Sequence, residues 1–558
     1  MKKTITFLAF SALLYNASGQ DMVATQRYFG GALSYRIQNI TKYGESDFLM
    51  VGRMNDPESN PSGANMFALR TNAELSNFEM LRVGTNNREL GYAGLAFSDG
   101  TFGMVGHTTS NGATSTRDDG VFIRFNGQGN ILNQKTWGEN NLSTEVEFFD
   151  AKTDDDGNMI VVGRTAYPGV TEKGLIKKMT TTGFEMWSSE IDYDGPSRLH
   201  RSLAADGGYY FIGYVRQDNG NYNTLLCKTD LNGNLLFSRV YDLSGVNTSS
   251  VAGGNNSAKK IVDTGDGLII AHHFRNDGET TTHTAILKVD YTGSIVWTRR
   301  LQFGTENNFV NSIRKGHGDN EYIFVGDTDS ATPTRDAQIY SLSDLPGGPV
   351  LNWMRVLTGA EFQRLWDVES FDYQGSKGYI AVGDIQNSSG EKDAWIVRTD
   401  QFGGGWANED CWLDNLPAAL IALPVTVVDE GISLTPWNIV SDHNFTFDQP
   451  IVVPLNNDGI CQPLSFVASV EGLEEFGSDI VVFPNPSSGE VYLRSDKHEG
   501  QPMMVEVFSV SGKTVLSQRD HSLNTQMPLR MNHCPPGMYF IRITSPQAGQ
   551  SQHKLILR

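Results

Sequence analysis

The sequence predicts an all-β protein: a seven-bladed β-propeller followed by a β-rich connector and a small antiparallel β-sandwich. Three observations carry this. An apolar strand ending in a small residue returns seven times at nearly constant spacing. Asp-Gly pairs separate short apolar runs, the signature of hairpin turns. Glycine is abundant, at 58 residues, charged residues make up only 19%, and no long segment keeps apolar residues at i, i+3, i+4 and i+7. Such a chain builds many short strands and little helix. At 558 residues it is also too long for one ordinary domain.

The N-terminus comes first. Lys2 and Lys3 give a positive start, Ile5 to Tyr15 is mostly apolar, and Ala17-Ser18-Gly19 supplies small residues for a peptidase. The apolar run is too short to span a bilayer. Residues 1–19 therefore read as a signal peptide, cut between Gly19 and Gln20. No other stretch is long and apolar enough to be transmembrane.

The repeat occupies residues 20–407. Its first marker appears as Met50-Val51-Gly52, Met104-Val105-Gly106, Val161-Val162-Gly163, Phe211-Ile212-Gly213, Ile269-Ile270-Ala271, Phe324-Val325-Gly326 and Ala381-Val382-Gly383. The small residues are separated by 54, 57, 50, 58, 55 and 57 positions. Asp-Gly turns precede it at Asp99-Gly100, Asp156-Gly157, Asp206-Gly207 and Asp266-Gly267, where glycine accepts positive φ and aspartate tolerates it. A second strand pair follows, as in Leu225-Leu226-Cys227-Lys228-Thr229-Asp230 with Gly233. An aromatic often stands four residues past that glycine, as Trp187, Phe237 and Trp297 do. The sixth unit departs, reaching Trp353 through Asp344-Leu345-Pro346-Gly347-Gly348. Four antiparallel strands at a period near 55 describe a propeller blade. A lone blade cannot bury both faces, so Trp187, Trp297 and Trp353 are expected to pack between blades.

The last unit lacks a clear fourth strand after Asp400. Residues near 22–29 resemble the fourth strand of other units and are expected to complete it, which would hide two free sheet edges.

Residues 408–478 read as a connector and linker. Cys411 and Cys461 bracket it and form the tentative disulfide of an exported chain. Cys227 lies in a strand-like run and reads as a buried free thiol, while Cys534 stands alone.

Residues 479–558 alternate apolar positions between Gly and Pro turns, as a small antiparallel sandwich does. The segment opens with Pro484-Asn485-Pro486 and Gly489, continues through a turn at Gly512 and Lys513, then Pro536-Gly537 with Tyr539, and ends near Lys554. These elements, in this order, resemble a type A C-terminal sorting domain of the type IX secretion system. The resemblance implies passage across the outer membrane of a Gram-negative bacterium and the type IX machinery as partner. It implies a protein released or fixed at the cell surface, the sorting domain being typically cleaved. The repeat units are similar to the propeller repeats found ahead of such domains.

Charge excludes some partners. The chain carries −20 at pH 7; the signal peptide and residues 479–558 each contribute +2, leaving about −24 on residues 20–478 by subtraction. Nothing forms a basic stripe that would neutralise phosphates, so nucleic acid is not an expected partner. Asp154-Asp155-Asp156-Gly157 fails the spacing of a calcium loop because Lys152 occupies its first place. His272 and His273 follow the small residue of unit five, where other units also have polar residues; neighbours on a strand face opposite ways and do not share a metal easily. No H-E-x-x-H, G-x-S-x-G or P-loop is present. No residue is assigned as catalytic or metal-binding, and no cofactor is expected. The reading is a monomeric, non-catalytic binding module for a glycan or protein. A polysaccharide hydrolase or lyase with its site at the propeller mouth is the alternative. Acidic or histidine side chains converging on that mouth are the feature that would favour the alternative.

Overall fold

The computed structural model describes most of residues 25–436, the strand Ile451–Val453 and most of residues 481–558. Gly19, Gln20, Cys411, Cys461, Pro486, Gly512 and Lys513 lie outside the described residues. All regular structure described is β-strand. The chain divides into two compact units, Met1–Leu464 and Ser465–Arg558.

The first unit is a β-propeller. Its described residues form seven antiparallel sheets, here blades 1 to 7 in chain order, whose repeat strands begin at Tyr35, Glu89, Glu145, Ser197, Lys260, Asn308 and Gln363. The first strand of each blade packs on the first strand of the next, and that of blade 7 packs on that of blade 1. One apolar cluster joins Ile37, Phe48 and Phe67 of blade 1 to Phe371, Ile380 and Ile396 of blade 7. Each blade thus buries both faces against neighbours, which is what makes a four-stranded sheet stable.

Closure follows the sequence reading. Thr25–Phe29 pairs antiparallel with Lys392–Asp400 as the outer strand of blade 7. Gln26 Oε1 accepts a hydrogen bond of 2.7 Å from Trp395 Nε1 inside this seam.

The small residue of the repeat has a local cause. In six blades the first strand carries a bulge, between Ile37 and Asn39 in blade 1 and at the matching place in blades 2, 3, 4, 6 and 7. The bulge drives a carbonyl oxygen onto the glycine opposite. A Cβ on Gly163 would lie 1.8 Å from the Glu147 carbonyl oxygen, and one on Gly383 1.8 Å from that of Arg364. Only hydrogen fits there.

The aromatics pack as expected. Trp297 is buried against blade 6 beside Tyr322 and Phe324, and its Nε1 donates to Asp344 at 2.9 Å. Trp187 sits against Tyr209 of blade 4, and Trp353 against Tyr379 of blade 7. In blade 5 the positive φ falls on Gly265, not on Asp266-Gly267 as expected. Asp266 is free to pair with Lys288 instead.

The connector does not form a layer of its own. Five short strands, Trp412–Leu413, Ala418–Ala422, Thr426–Val428, Ser433–Pro436 and Ile451–Val453, add to the outer edges of blades 6, 5, 4, 3 and 1. The chain runs back around the ring and satisfies edge N–H and C=O groups that would otherwise face solvent. Backbone pairing demands no side-chain pattern, so nothing in the residues announces it.

The second unit has two sheets. Val481–Phe483, Glu490–Arg494 and Met527–Arg530 form one; Thr514–Ser522, Pro502–Ser509, Gly537–Ser545 and Gly549–Leu557 form the other. They share a core of Val491, Leu493, Val505, Val507, Ile541, Ile543 and Leu555, the alternate positions that period-two patterning assigns inward.

Candidate functional site

The bulges that demand glycine also build the mouth of the ring. The residue after each small residue is polar in all seven blades: Arg53, His107, Arg164, Tyr214, His272, Asp327 and Asp384. It pairs across to the opening residues of the first strand, as Arg53 does to Arg36, Arg164 to Glu147 and Asp384 to Arg364. The residue inside each bulge adds Tyr92, Phe149, His200 and Trp366. Phe149 stacks on His200 at 5.3 Å between centroids, Tyr92 meets Phe149 edge-on at 5.6 Å, and the Arg364 guanidinium covers Trp366 at 4.7 Å. One end of the channel is therefore ringed by arginines, carboxylates, histidines and aromatic rings.

Blades 2 and 3 hold the densest part. His107, Asp118 and Glu147 bring one nitrogen and two carboxylate oxygens within 4.8 Å of one another. His107 Nε2 is 3.6 Å from Asp118 Oδ1, and Arg88 Nη2 is 3.3 Å from Asp118 Oδ2. Arg164 grips Glu147 with Nε at 2.9 Å and Nη2 at 2.7 Å, and reaches Glu145 and Glu172, each at 3.1 Å. Arg198 donates to the same Glu172 oxygen, Oε2, at 2.6 Å, and the Tyr214 hydroxyl donates to the other, Oε1.

This packing separates the ionisation of the groups. Burial drives the His107 imidazole down to about 4, so it is neutral near pH 7. Burial, then the Glu147 charge, pushes Asp118 up to about 7. Burial acts upward on Glu147 too, but the hydrogen bonds and charge of Arg164 outweigh it and keep that carboxyl ionised. The result is one carboxyl poised to hold a proton beside one held as the anion.

Among the described residues this is the one His/Cys/Asp/Glu group spaced to hold a metal ion. Its donor set fits a cation poorly, since Arg88 and Arg164 already occupy the carboxylates. His273 and His283 do not join it: the His273 ring meets the Val310 carbonyl and His283 lies against Phe274. Asp154 is tied to Lys178, Tyr209 and the Asn158 amide as an ordinary turn residue.

The C-terminal motif residues close their own sandwich. Asn485 Oδ1 accepts from the Ile556 amide at 2.9 Å, and Ser487 exchanges backbone bonds with Ile556 and Arg558. Gly489 has φ +123°, and a Cβ there would strike Asn532 Oδ1 at 2.2 Å. Pro484 follows Phe483 through a cis peptide bond. Tyr539 is buried and donates to the Pro535 carbonyl at 2.7 Å, beside Pro536 and Gly537; Lys554 lies on the last strand. The opening motif thus clamps the last strand of the chain.

Residues 481–558 match the family described as the secretion system C-terminal sorting domain. The C-terminal unit is a type IX secretion sorting domain. With this sorting domain the protein is secreted or held at the outer cell surface of a Gram-negative bacterium, and its partner in transit is the type IX machinery. No curated protein matches the chain. Among solved structures, a subtype N11 neuraminidase-like protein (H18N11, flat-faced bat, Peru) aligns at 12% identity and TM-score 0.32, over 52% of this chain and 85% of that one. The extracellular domain of a proposed hybrid two component system from B. thetaiotaomicron aligns at 10% identity and TM-score 0.22, over 96% and 99%. Dimeric latent PorU from Porphyromonas gingivalis aligns at 12% identity and TM-score 0.12, over 76% and 35%. Likenesses this weak lend nothing to the functional reading. No described helix is long and apolar enough to cross a membrane.

The repeat pattern held the signal for this site. A polar residue after every small residue is unusual for a position inside a buried sheet, and it marks the ring one residue per blade. The pairing of His107 with Asp118 and Glu147 had no such signal, because the three come from separate strands and a loop.

Proposed function

We propose that the protein is an exported binding module whose propeller mouth takes a saccharide. The observation that carries this is the ring of planar polar and aromatic side chains held at one end of the channel by the blade bulges. Sugar rings stack on aromatic faces and exchange paired hydrogen bonds with guanidinium and carboxylate groups. Tyr92 and Trp366 keep part of their surface open, while Arg164, Arg198 and Glu172 are locked by one another and give the site a rigid wall. The chain acts as a monomer in this reading.

A hydrolytic reading has one observation in its favour. Asp118 is pushed up to about 7 beside an ionised Glu147, the state of a proton donor near neutral pH. The two carboxyls share one small space, under the spacing of about 5 Å or more that glycoside hydrolysis uses. Binding is the better account.

A glycan array probed with the purified chain, followed by product analysis on each glycan bound, tests both. Binding without new reducing ends supports the module. Product formation lost in Asp118→Asn would establish the enzyme, and an array without any binder would remove the saccharide reading.

A further inference from the structure

We propose that the sector of the mouth shared by blades 7, 1 and 2 is a subsite for the anionic group, carboxylate or sulfate, of an acidic saccharide. The inference rests on the saccharide reading above and names its ligand class. It begins with two arginines. Arg36 and Arg53 stand directly opposite each other on the first two strands of blade 1. Like charges in that position repel. Neither guanidinium forms a hydrogen bond or ion pair with any described residue, although the chain has 64 acidic residues to offer. Arg53 is recessed; burial, then Arg36, lowers its pKa, while Tyr92 and Asp384 pull it the other way. An unpaired guanidinium away from water is costly, and a recessed one is retained where a counter-charge completes it.

More cations surround the pair. Arg88 comes from blade 2, Arg364 and Lys392 from blade 7, and Lys392 feels both Arg36 and Arg364. The carboxylates that face this group are Asp384, 3.2 Å from Lys392 Nζ, Asp327, 3.4 Å from Arg364 Nε, and Asp118 at Arg88. These five cations share three carboxyls, of which Asp118 resists ionising and Asp327 is also taken by Arg335 at 3.3 Å. The surplus is positive, inside a body that is strongly negative elsewhere. A recessed positive spot in a negative surface focuses anions onto one place. Guanidinium forks match the two oxygens of a carboxylate or sulfate, and Trp366 and Tyr92 lie beside them to take the sugar ring.

Isothermal titration of the purified chain tests this with three probes of equal length: an oligogalacturonate for carboxylate, a carrageenan oligosaccharide for sulfate, and a malto-oligosaccharide as the neutral control. One acidic probe is expected to bind, more weakly when salt rises, while the neutral probe binds at least about 10-fold more weakly. The double variant Arg36→Gln/Arg53→Gln is expected to lose about 10-fold or more in affinity for the acidic probe. Its melting temperature should stay level or rise, because repulsion is removed. The distant variant Lys135→Gln should bind as the unaltered chain does. Should the double variant fold poorly, Arg53→Lys, which keeps charge and loses the fork, must still weaken binding. Neutral and acidic probes binding alike, or variants that bind unchanged, overturn the subsite and leave the saccharide mouth standing. A folded chain that binds none of the three and no glycan on the array overturns both.

Discussion

Lys260 Nζ reaches across the channel to Asp367 Oδ2 at 3.1 Å, and both side chains are almost wholly out of solvent. Asp367 also accepts from Asn39 Nδ2 of blade 1 at 2.8 Å and Arg314 Nη2 of blade 6 at 3.1 Å, and takes the Ser312 hydroxyl. One carboxylate thus ties blades 1, 5, 6 and 7 together. Removing it strands Lys260 as a buried charge and leaves Arg314 with Glu369 alone, at 3.2 Å. Asp367→Ala should cost about 3–5 kcal/mol in urea unfolding. Burial acts upward on the Asp367 pKa, but Arg314 and Lys260 outweigh it and hold the group well below the carboxylate range. A depressed folded-state pKa gives stability that is present above the unfolded value of about 3.9 and lost as pH falls through the folded one. The unaltered chain should therefore lose stability in acid, and the variant should lose less.

Asp118 carries the opposite sign. Its folded-state pKa is raised to about 7, so its contribution is greatest below the ordinary value of 3.8 and fades as pH rises toward 7. Asp118→Asn should flatten the pH dependence of the melting temperature between pH 4 and 7, read by differential scanning calorimetry. An unchanged slope would place the proton elsewhere.

The bulge and its glycine form one device. Gly383→Ala sets a methyl against the Arg364 carbonyl oxygen at 1.8 Å, and the strand must shift. A loss of about 3 kcal/mol or more is expected by chemical denaturation. Gly100→Ala is the contrast: it has open space around it, so its cost comes only from φ of +77° and should be about 1 kcal/mol.

Closure of the ring is testable at its seam. Gln26→Leu leaves the buried Trp395 Nε1 without its acceptor and should cost about 1–3 kcal/mol. Deleting residues 20–30 exposes the free edge of blade 7 and should lower the melting temperature further while promoting association of the chain through that edge.

Export depends on the sorting domain. A chain lacking residues 482–558 should accumulate in the periplasm, measured by cell fractionation. Unaltered arrival in the medium or on the surface would contradict the assignment.

Much of this was legible in the residues. The small-residue marker, spaced at 50 to 58 positions, located the second strand of every blade, since in six of the seven a bulge faces a glycine there. Thr25–Phe29 could be matched to other fourth strands for the same reason. The fifth strands from the connector could not, because an edge is satisfied by backbone alone.

The sequence by itself determined the repeat, the closing strand and the export address, because each is written locally, in turns, alternation and motif order. Only the tertiary structure decided which charges meet. Arg36 against Arg53, Lys260 across to Asp367 and Asp118 beside Glu147 arise when separate strands are curled into a circle. Electrostatic energy follows distance in space and burial, and neither is set by position along the chain.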